Sequence, residues 1–477
     1  MSQQSTGSTP PRPDQPVAII GAGPVGLTAA AQLAARGQRF VVLEAGAEVG
    51  AAVRAWGHVS TFSPWRYMVD RTARQLLETS GWRMPKEDVL PTGNELVDGY
   101  VAPLATHPAI APHLRLNARV TAVGRKDFDK VRTKGRDEQP FELHLESGEI
   151  VEARAVIDAS GTWNRPNPAG SSGLAVPGER EFAARIAYGI PDVLGSARAT
   201  FAGKRVVVVG SGHSAINVVL DLLSLAEQVT GTDITWVMRK ENLNAVWGGG
   251  SADALEARGL LGTRAKAAVD AGRLRVLSPY RIRSIGKAGA SLEITGVMNG
   301  AVSTIAGDEM IVATGFRPDL EMLKEIRLSL DPWLECTTAL GPLIDPNEHS
   351  CGTVRPHGAK ELAHPEKDFF IVGMKSYGRA PTFLLATGYE QARSVVAMLA
   401  GDLEAAARVE LELPETGVCS TTVSPEGAAG CCGGPAAEGV DACCVQDADA
   451  KAAGEEGCGC GTTAASPLLQ IGGTPRR

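Results

Sequence analysis

Twice in this chain a run of β-branched residues breaks into a glycine-rich turn, passes through an alanine- and leucine-rich stretch, and returns to an apolar run. The first instance is Val17-Ala18-Ile19-Ile20, then Gly21-Ala22-Gly23-Pro24-Val25-Gly26. A predicted helix over Leu27–Arg36 follows, closed by Gly37, and then Phe40-Val41-Val42-Leu43 leads to Glu44. The second is Arg205-Val206-Val207-Val208-Val209, then Gly210-Ser211-Gly212-His213-Ser214-Ala215, a predicted helix over Ile216–Ala226 and a predicted strand Asp233–Met238. Short runs that are apolar throughout, without alternation, suit strands buried on both faces by helices. The pattern therefore predicts an α/β chain with parallel sheets.

Each position in such a turn has a physical task. The first glycine permits the tight bend, the second lets backbone N–H groups approach a pyrophosphate, and the third lets helix and strand pack closely. The helix N-terminus attracts the anion. Gly21, Gly23 and Gly26 fill these places, with Pro24 opening the helix. Glu44 lies 23 residues after Gly21, where an acid accepts the ribose hydroxyls of an adenosine moiety. The position near the N-terminus and the acid both suit FAD. In the second turn Ala215 replaces the third glycine, and the strand ends at Arg239 and Lys240 rather than at an acid. Cations there can hold a 2′-phosphate, which favours NADPH over NADH, with Gly210, Ser211, Gly212 and Ser214 at the pyrophosphate. The bland alternative is that both are solvated strand-end charges. His213 lies on the turn itself and is expected to touch the coenzyme or solvent rather than to move a proton. The expectation is two Rossmann-like dinucleotide-binding domains.

Two further segments, Val156-Ile157-Asp158-Ala159-Ser160-Gly161 and Met310-Ile311-Val312-Ala313-Thr314-Gly315, each read as a strand ending in small residues and glycine. They are expected to mark the crossings between domains, with Gly161, Thr314 and Gly315 beside the cofactors. The predicted organisation is a disordered lead-in over 1–15 and an FAD domain over 16–198 and 309–413. An NADPH domain over 199–308 is inserted between its two parts. The chain has 477 residues and a net charge of −7, with no Lys/Arg cluster, which gives no footprint for nucleic acid. Neither a membrane span nor a secretory h-region is apparent, so a soluble cytoplasmic protein is expected.

The motif order resembles the class B flavin monooxygenases, within the two-dinucleotide-binding-domain flavoproteins. The residues that carry the resemblance are GAGPVG at 21–26, DASGTWNRP at 158–166, GSGHSA at 210–215 and ATGFRPD at 313–319. Phe369-Phe370-Ile371-Val372-Gly373 and the helix Thr387–Leu399 resemble the last FAD-contacting strand and helix, and the likeness spans roughly 16–413. It implies that NADPH reduces FAD by hydride transfer and that molecular oxygen then reacts with the reduced flavin. Two departures bear on this. The family's F-x-G-x-x-x-H motif before the second turn is replaced by Ile186-Ala187-Tyr188-Gly189-Ile190-Pro191, and the core has no C-x-x-C, only Cys336 and Cys351. The stretches Trp56-Gly57-His58 and Phe62-Ser63-Pro64-Trp65, with the cysteine-paired tail, look most like the flavin monooxygenases of bacterial arsenic-resistance operons. That resemblance implies oxidation of trivalent arsenic or antimony species.

Residues 415–477 carry seven of the nine cysteines, with eight acidic against three basic residues, and read as a flexible appendage. Cys431-Cys432, Cys443-Cys444 and Cys458-Gly459-Cys460 are close pairs whose soft thiolates prefer soft acceptors, including trivalent metalloids. Their alternative reading is a low-complexity tail with no specific ligand. Within the core, Cys351 and His357 lie in a predicted loop and are candidates to meet the substrate, a soft metalloid or thiol species; Cys351 reads equally as a buried small hydrophobe. Arg54 and His58 are candidates to lie over the flavin, and Gly373 ends the last FAD strand. Two rival functions remain open on sequence: a reductase passing electrons to thiols or metalloid–thiol conjugates through the tail, and a metalloid-sequestering protein on a flavoprotein scaffold.

Overall fold

The computed structural model describes residues 15–241, 243–247, 256–347, 354 and 357–411. All but the last residue of the expected lead-in, together with Cys351 and every tail cysteine, lie outside the described residues. The first part of the chain builds β1 (Val17–Ile20), α1 (Pro24–Ala35), β2 (Phe40–Leu43), β3 (Leu114–Arg115), β4 (Val120–Arg125), β5 (Phe141–Leu145), β6 (Ile150–Ala153) and β7 (Ala155–Asp158). The middle builds β8 (Ile186–Tyr188), β9 (Arg205–Val209), α2 (His213–Gln228), β10 (Asp233–Val237), α3 (Glu256–Asp270) and β11 (Arg275–Leu277). A meander of β12 (Arg281–Ala288), β13 (Ser291–Met298) and β14 (Ala301–Gly307) precedes β15 (Glu309–Val312). The chain then returns through β16 (Phe369–Ile371) to α4 (Leu385–Leu399).

Two five-stranded parallel sheets organise the molecule. The first has the order β16-β7-β1-β2-β3 and the second β11-β10-β9-β15-β8. Each is accompanied by a three-stranded antiparallel sheet, β4-β5-β6 and β12-β13-β14 respectively. All four residues of β1 are buried, as are Val206 to Val209 of β9, which is why both runs are apolar without alternation. Helix α1 packs against α4 in the first unit, and α2 against α3 in the second. Both expected Rossmann-like units are therefore present.

The strand pairing draws the second unit wider than 199–308. Strand β8 lies at its edge, Ile186 beside Met310, and β15 lies inside it, Glu309 beside Val206. Outlying strands carry no glycine signature, so sequence located the nucleating strand β9 and not its neighbours. The two crossings run side by side, with Pro166 bridged to Phe316 in antiparallel sense. The Asn167 N–H donates to Gly315 O at 2.9 Å and the Arg317 N–H to Arg165 O at 3.0 Å. Trp163 stacks on Phe316 with ring centroids 4.7 Å apart. The two units are thus joined by a two-stranded ribbon.

A buried ion triad ties the antiparallel sheet of the first unit to its returning segment. Glu366 accepts from Arg125 Nε at 2.8 Å and from Arg136 Nη2 at 2.9 Å, and all three side chains are essentially inaccessible. Burial alone would raise the Glu366 carboxyl, but hydrogen bonds from Arg136 and Arg125 outweigh it and hold the group below the usual carboxylate range. Removing the carboxylate leaves two guanidinium groups uncompensated. Glu366→Ala is expected to lose about 3–5 kcal/mol of unfolding free energy in a denaturant titration. A loss under about 1 kcal/mol would mean that the triad is not what holds this edge.

Candidate dinucleotide sites

The first and third glycines of the N-terminal turn are demanded by the protein itself. Gly21 has φ +101°, and a Cβ there would lie 2.8 Å from Ala159 O. A Cβ on Gly26 would lie 2.0 Å from Gly21 O. Gly23 is different: its φ is −79°, and nothing lies within 4 Å of the place a Cβ would take. It caps the N-terminus of α1, with Pro24 in the first turn, so the open space faces unpaired helix N–H groups. This cradle fits a pyrophosphate. Glu44 closes the other side: its Oε2 accepts the Ala22 N–H at 2.7 Å and its Oε1 the Gly46 N–H at 2.8 Å. Each oxygen keeps a second acceptor site, which suits ribose hydroxyls. The donor set fits the adenosine diphosphate half of FAD.

The second turn repeats the arrangement. Gly210 has φ +136°, and a Cβ there would meet Ala313 O at 2.3 Å. Gly212 caps α2 with nothing within 4 Å of its Cβ position. Ala215 stands where the third glycine would be and is fully buried. Trp236 Nε1 donates to Gly210 O at 2.7 Å and fixes the bend. Arg239 is exposed and donates to Ser171 O at 3.1 Å. Partial burial, reinforced by the neighbouring Arg239 charge, lowers the Lys240 ammonium from its ordinary range. Both cations stand at the end of β10, beside the turn, and fit a coenzyme bearing a 2′-phosphate.

A buried network supports the first site from behind. Asp158, at the end of β7, accepts from Lys375 Nζ at 2.7 Å with neither side chain accessible, and from Ser160 Oγ at 2.6 Å. Beyond these strand ends lie Gly161 (φ +69°) and Gly373 (φ +72°). The Gly373 N–H donates to Gln391 Oε1 at 2.8 Å, and Gln391 Nε2 lies 2.8 Å from His357 Nε2. Lys375, Gln391 and Asn167 were not singled out in the sequence. The Asp158–Lys375 contact spans 217 residues, and no local pattern signals it.

The other candidate residues have these surroundings in the fold. His357 is buried with Tyr377 beside it, and its Nε2 lies 2.8 Å from Gln391 Nε2. Arg54 is ion-paired with Asp98 and near Glu48, which occupies its guanidinium with carboxylates. His58 lies four residues before Phe62, whose ring is edge-on to His213 of the second unit at 5.3 Å. Thr314 Oγ1 donates to Asn167 O at 2.8 Å, and the Gly315 carbonyl accepts within the crossing ribbon, so both build the ribbon. Trp65 is buried in the core of the first unit.

The open glycines give a test that separates folding from binding. Gly23→Val and Gly212→Val are expected to fold with an unchanged melting temperature, because φ is ordinary and the space is empty. Gly23→Val should lose FAD content after purification. Gly212→Val should retain FAD and weaken NADPH at least about tenfold, or about 1.4 kcal/mol, in a fluorescence titration. Gly26→Ala should fail to accumulate as folded protein. Normal cofactor binding by both valine variants would contradict the assignment.

Comparison with known proteins agrees with this geometry. Residues 18–339 match the model of the pyridine nucleotide-disulphide oxidoreductase family. A ferredoxin–NADP reductase of Thermus thermophilus is 28% identical over 271 residues, covering 56% of this chain and 63% of that protein; the chain thus spans under two thirds of that relative's length. An indole-3-pyruvate monooxygenase of Oryza sativa is 32% identical over 210 residues, 43% of this chain and 44% of that protein. Among solved structures, a bacillithiol disulfide reductase from Bacillus cereus matches with TM-score 0.61 at 18% identity, over 81% of this chain and all but 1% of that one, a likeness of fold. The protein is an oxidoreductase that works with FAD and NADP(H). With two thirds of its length matched and both dinucleotide units built as described, this chain belongs to the pyridine nucleotide-disulphide oxidoreductase family.

Proposed function

We propose that this protein is a cytoplasmic NADPH-dependent flavin monooxygenase that oxidises a soft nucleophile, with trivalent arsenic or antimony as the substrate class. FAD, when bound, would supply the redox chemistry that links NADPH to oxygen. The chain's own residues bind and orient. Gly21 to Gly26 and Glu44 hold the FAD end, backed by Asp158 and Lys375. Gly210 to Ser214 with Arg239 and Lys240 hold NADPH. Electrons balance: arsenite and NADPH each give up two, molecular oxygen takes four, and the products are arsenate, NADP⁺ and water.

The observation that carries the monooxygenase reading is the state of Cys336. It is the one cysteine among the described residues, and it is buried in the core of the first unit. Burial, with the Asp331 charge adding, pushes its thiol up to about 12. A thiol held so far from its thiolate is a poor nucleophile and a poor electron relay. Among the described residues there is thus no dithiol to receive electrons, which favours a diffusible acceptor. The tail pairs Cys431-Cys432, Cys443-Cys444 and Cys458/Cys460 are assigned to metalloid capture, where a tethered thiol raises the local concentration of substrate. A second reading, a reductase, is favoured by the likeness to ferredoxin–NADP reductases.

The two readings separate in one assay: NADPH oxidation by the FAD-loaded enzyme, with and without arsenite or methylarsenite, in air and under nitrogen. The monooxygenase reading expects metalloid-stimulated turnover that disappears without oxygen. Sustained anaerobic turnover with the metalloid would establish the reductase instead, and no stimulation by any thiophilic compound would end the metalloid assignment.

A further inference from the structure

The turn Gly170-Ser171-Ser172-Gly173 in the segment leading to the second unit meets the sites described above only where Arg239 donates to Ser171 O. Gly173 N–H donates to Gly170 O at 3.0 Å, closing the turn, and Gly173 has φ +78°. Around it converge arginines from three separate elements. Arg317 of the crossing ribbon and Arg379, which follows the last strand of the first unit, bring their Nη2 atoms to 3.5 and 3.7 Å from the place a Cβ on Gly173 would take. Arg239, at the end of β10, donates to Ser171 O from its own side.

None of the three has a carboxylate within 4 Å among the described residues. The nearest acids along the ribbon, Asp319 and Glu321, face Arg165 instead. Arg317 Nε is spent on Asn167 Oδ1 at 3.0 Å, which fixes the plane of its guanidinium and leaves the outer nitrogens available. Like charges gathered without a counter-charge are held at a cost unless an anion joins them. A side chain on Gly173 would fill the space between the two forks, and its left-handed backbone would disfavour one in any case. The adjacent Ser171 and Ser172 add two hydroxyl donors to the same turn.

We infer that Arg317, Arg379 and the Ser171–Gly173 turn form a binding site for a tetrahedral oxyanion of the phosphate or arsenate class. Paired guanidinium forks match such an anion geometrically, where a single lysine would supply only a point charge. The anion could arrive free in solution or as the 2′-phosphate of the coenzyme. The site stands on the arginine geometry alone and does not depend on which reaction the enzyme performs.

The test uses the intact FAD-loaded protein and isothermal titration with inorganic phosphate, then arsenate, at constant ionic strength set with chloride. Saturable binding is expected, weakened at least about tenfold in Arg379→Ala and partly restored in Arg379→Lys. Retained flavin absorbance and melting temperature show that the variant is folded; Arg379 is exposed, and no side-chain hydrogen bond or ion pair among the described residues is lost with it. Gly173→Ala, which fills the space, provides a second variant expected to lose the anion. Repeating the titration at saturating NADPH or NADH identifies the source. Displacement by NADPH alone assigns the site to the coenzyme's phosphate, and displacement by neither assigns it to a free oxyanion. Equal displacement by both nucleotides, unchanged affinity in Arg379→Ala and Gly173→Ala, or heat that chloride reproduces would each overturn the proposal.

Discussion

The close approach of one carbonyl oxygen to one glycine, made twice, sets the rest of this structure. Gly21 is pressed against Ala159 O and Gly210 against Ala313 O, each at a distance that no side chain could share. In both units the carbonyl belongs to the residue just after the neighbouring parallel strand, β7 in the first and β15 in the second. Those same strand ends are where the chain leaves one unit for the other. The phosphate-binding turns and the inter-unit ribbon therefore share backbone. Any rotation about the ribbon acts at once on the floor of both cofactor sites.

The buried charges serve that same geometry. Asp158 and Lys375 lock the ends of β7 and β16 together directly behind Gly161 and Gly373. The Arg125–Glu366–Arg136 triad anchors the segment that brings β16 back into the first sheet. Disrupting either would strand a charge in a low-dielectric setting, so both favour one register of the returning chain over its alternatives. Flavin and nicotinamide chemistry asks little acid–base work of the protein, and the structure matches that. Its charged groups near the turns hold backbone or stand ready for phosphates.

How much of this could be read in the sequence divides along physical lines. The two glycine turns were legible because tight bends, close approach and anion binding are local demands written in consecutive residues. Glu44, Arg239 and Lys240 were legible for the same reason, at strand ends a fixed distance on. The strand β8 was not, because an edge strand of three residues has no periodicity to show. Lys375, Gln391 and Asn167 were not, since each meets its partners only after the fold is made. Arg54 reads from position alone as a residue near the flavin; its ion pair with Asp98, 44 residues on, has no local pattern to signal it.

The central claim is that the first turn and Glu44 would hold FAD, and that the second turn with Arg239 and Lys240 would hold a nicotinamide coenzyme bearing a 2′-phosphate. Anaerobic stopped-flow mixing tests it most directly, following loss of the oxidised-flavin absorbance after addition of NADPH or NADH to wild type and to Arg239→Ala/Lys240→Ala. The account predicts rapid bleaching of the wild type by NADPH, slower bleaching by NADH, and loss of that preference in the double variant. Equal bleaching by both coenzymes in the wild type, or an undiminished preference in the variant, would contradict it.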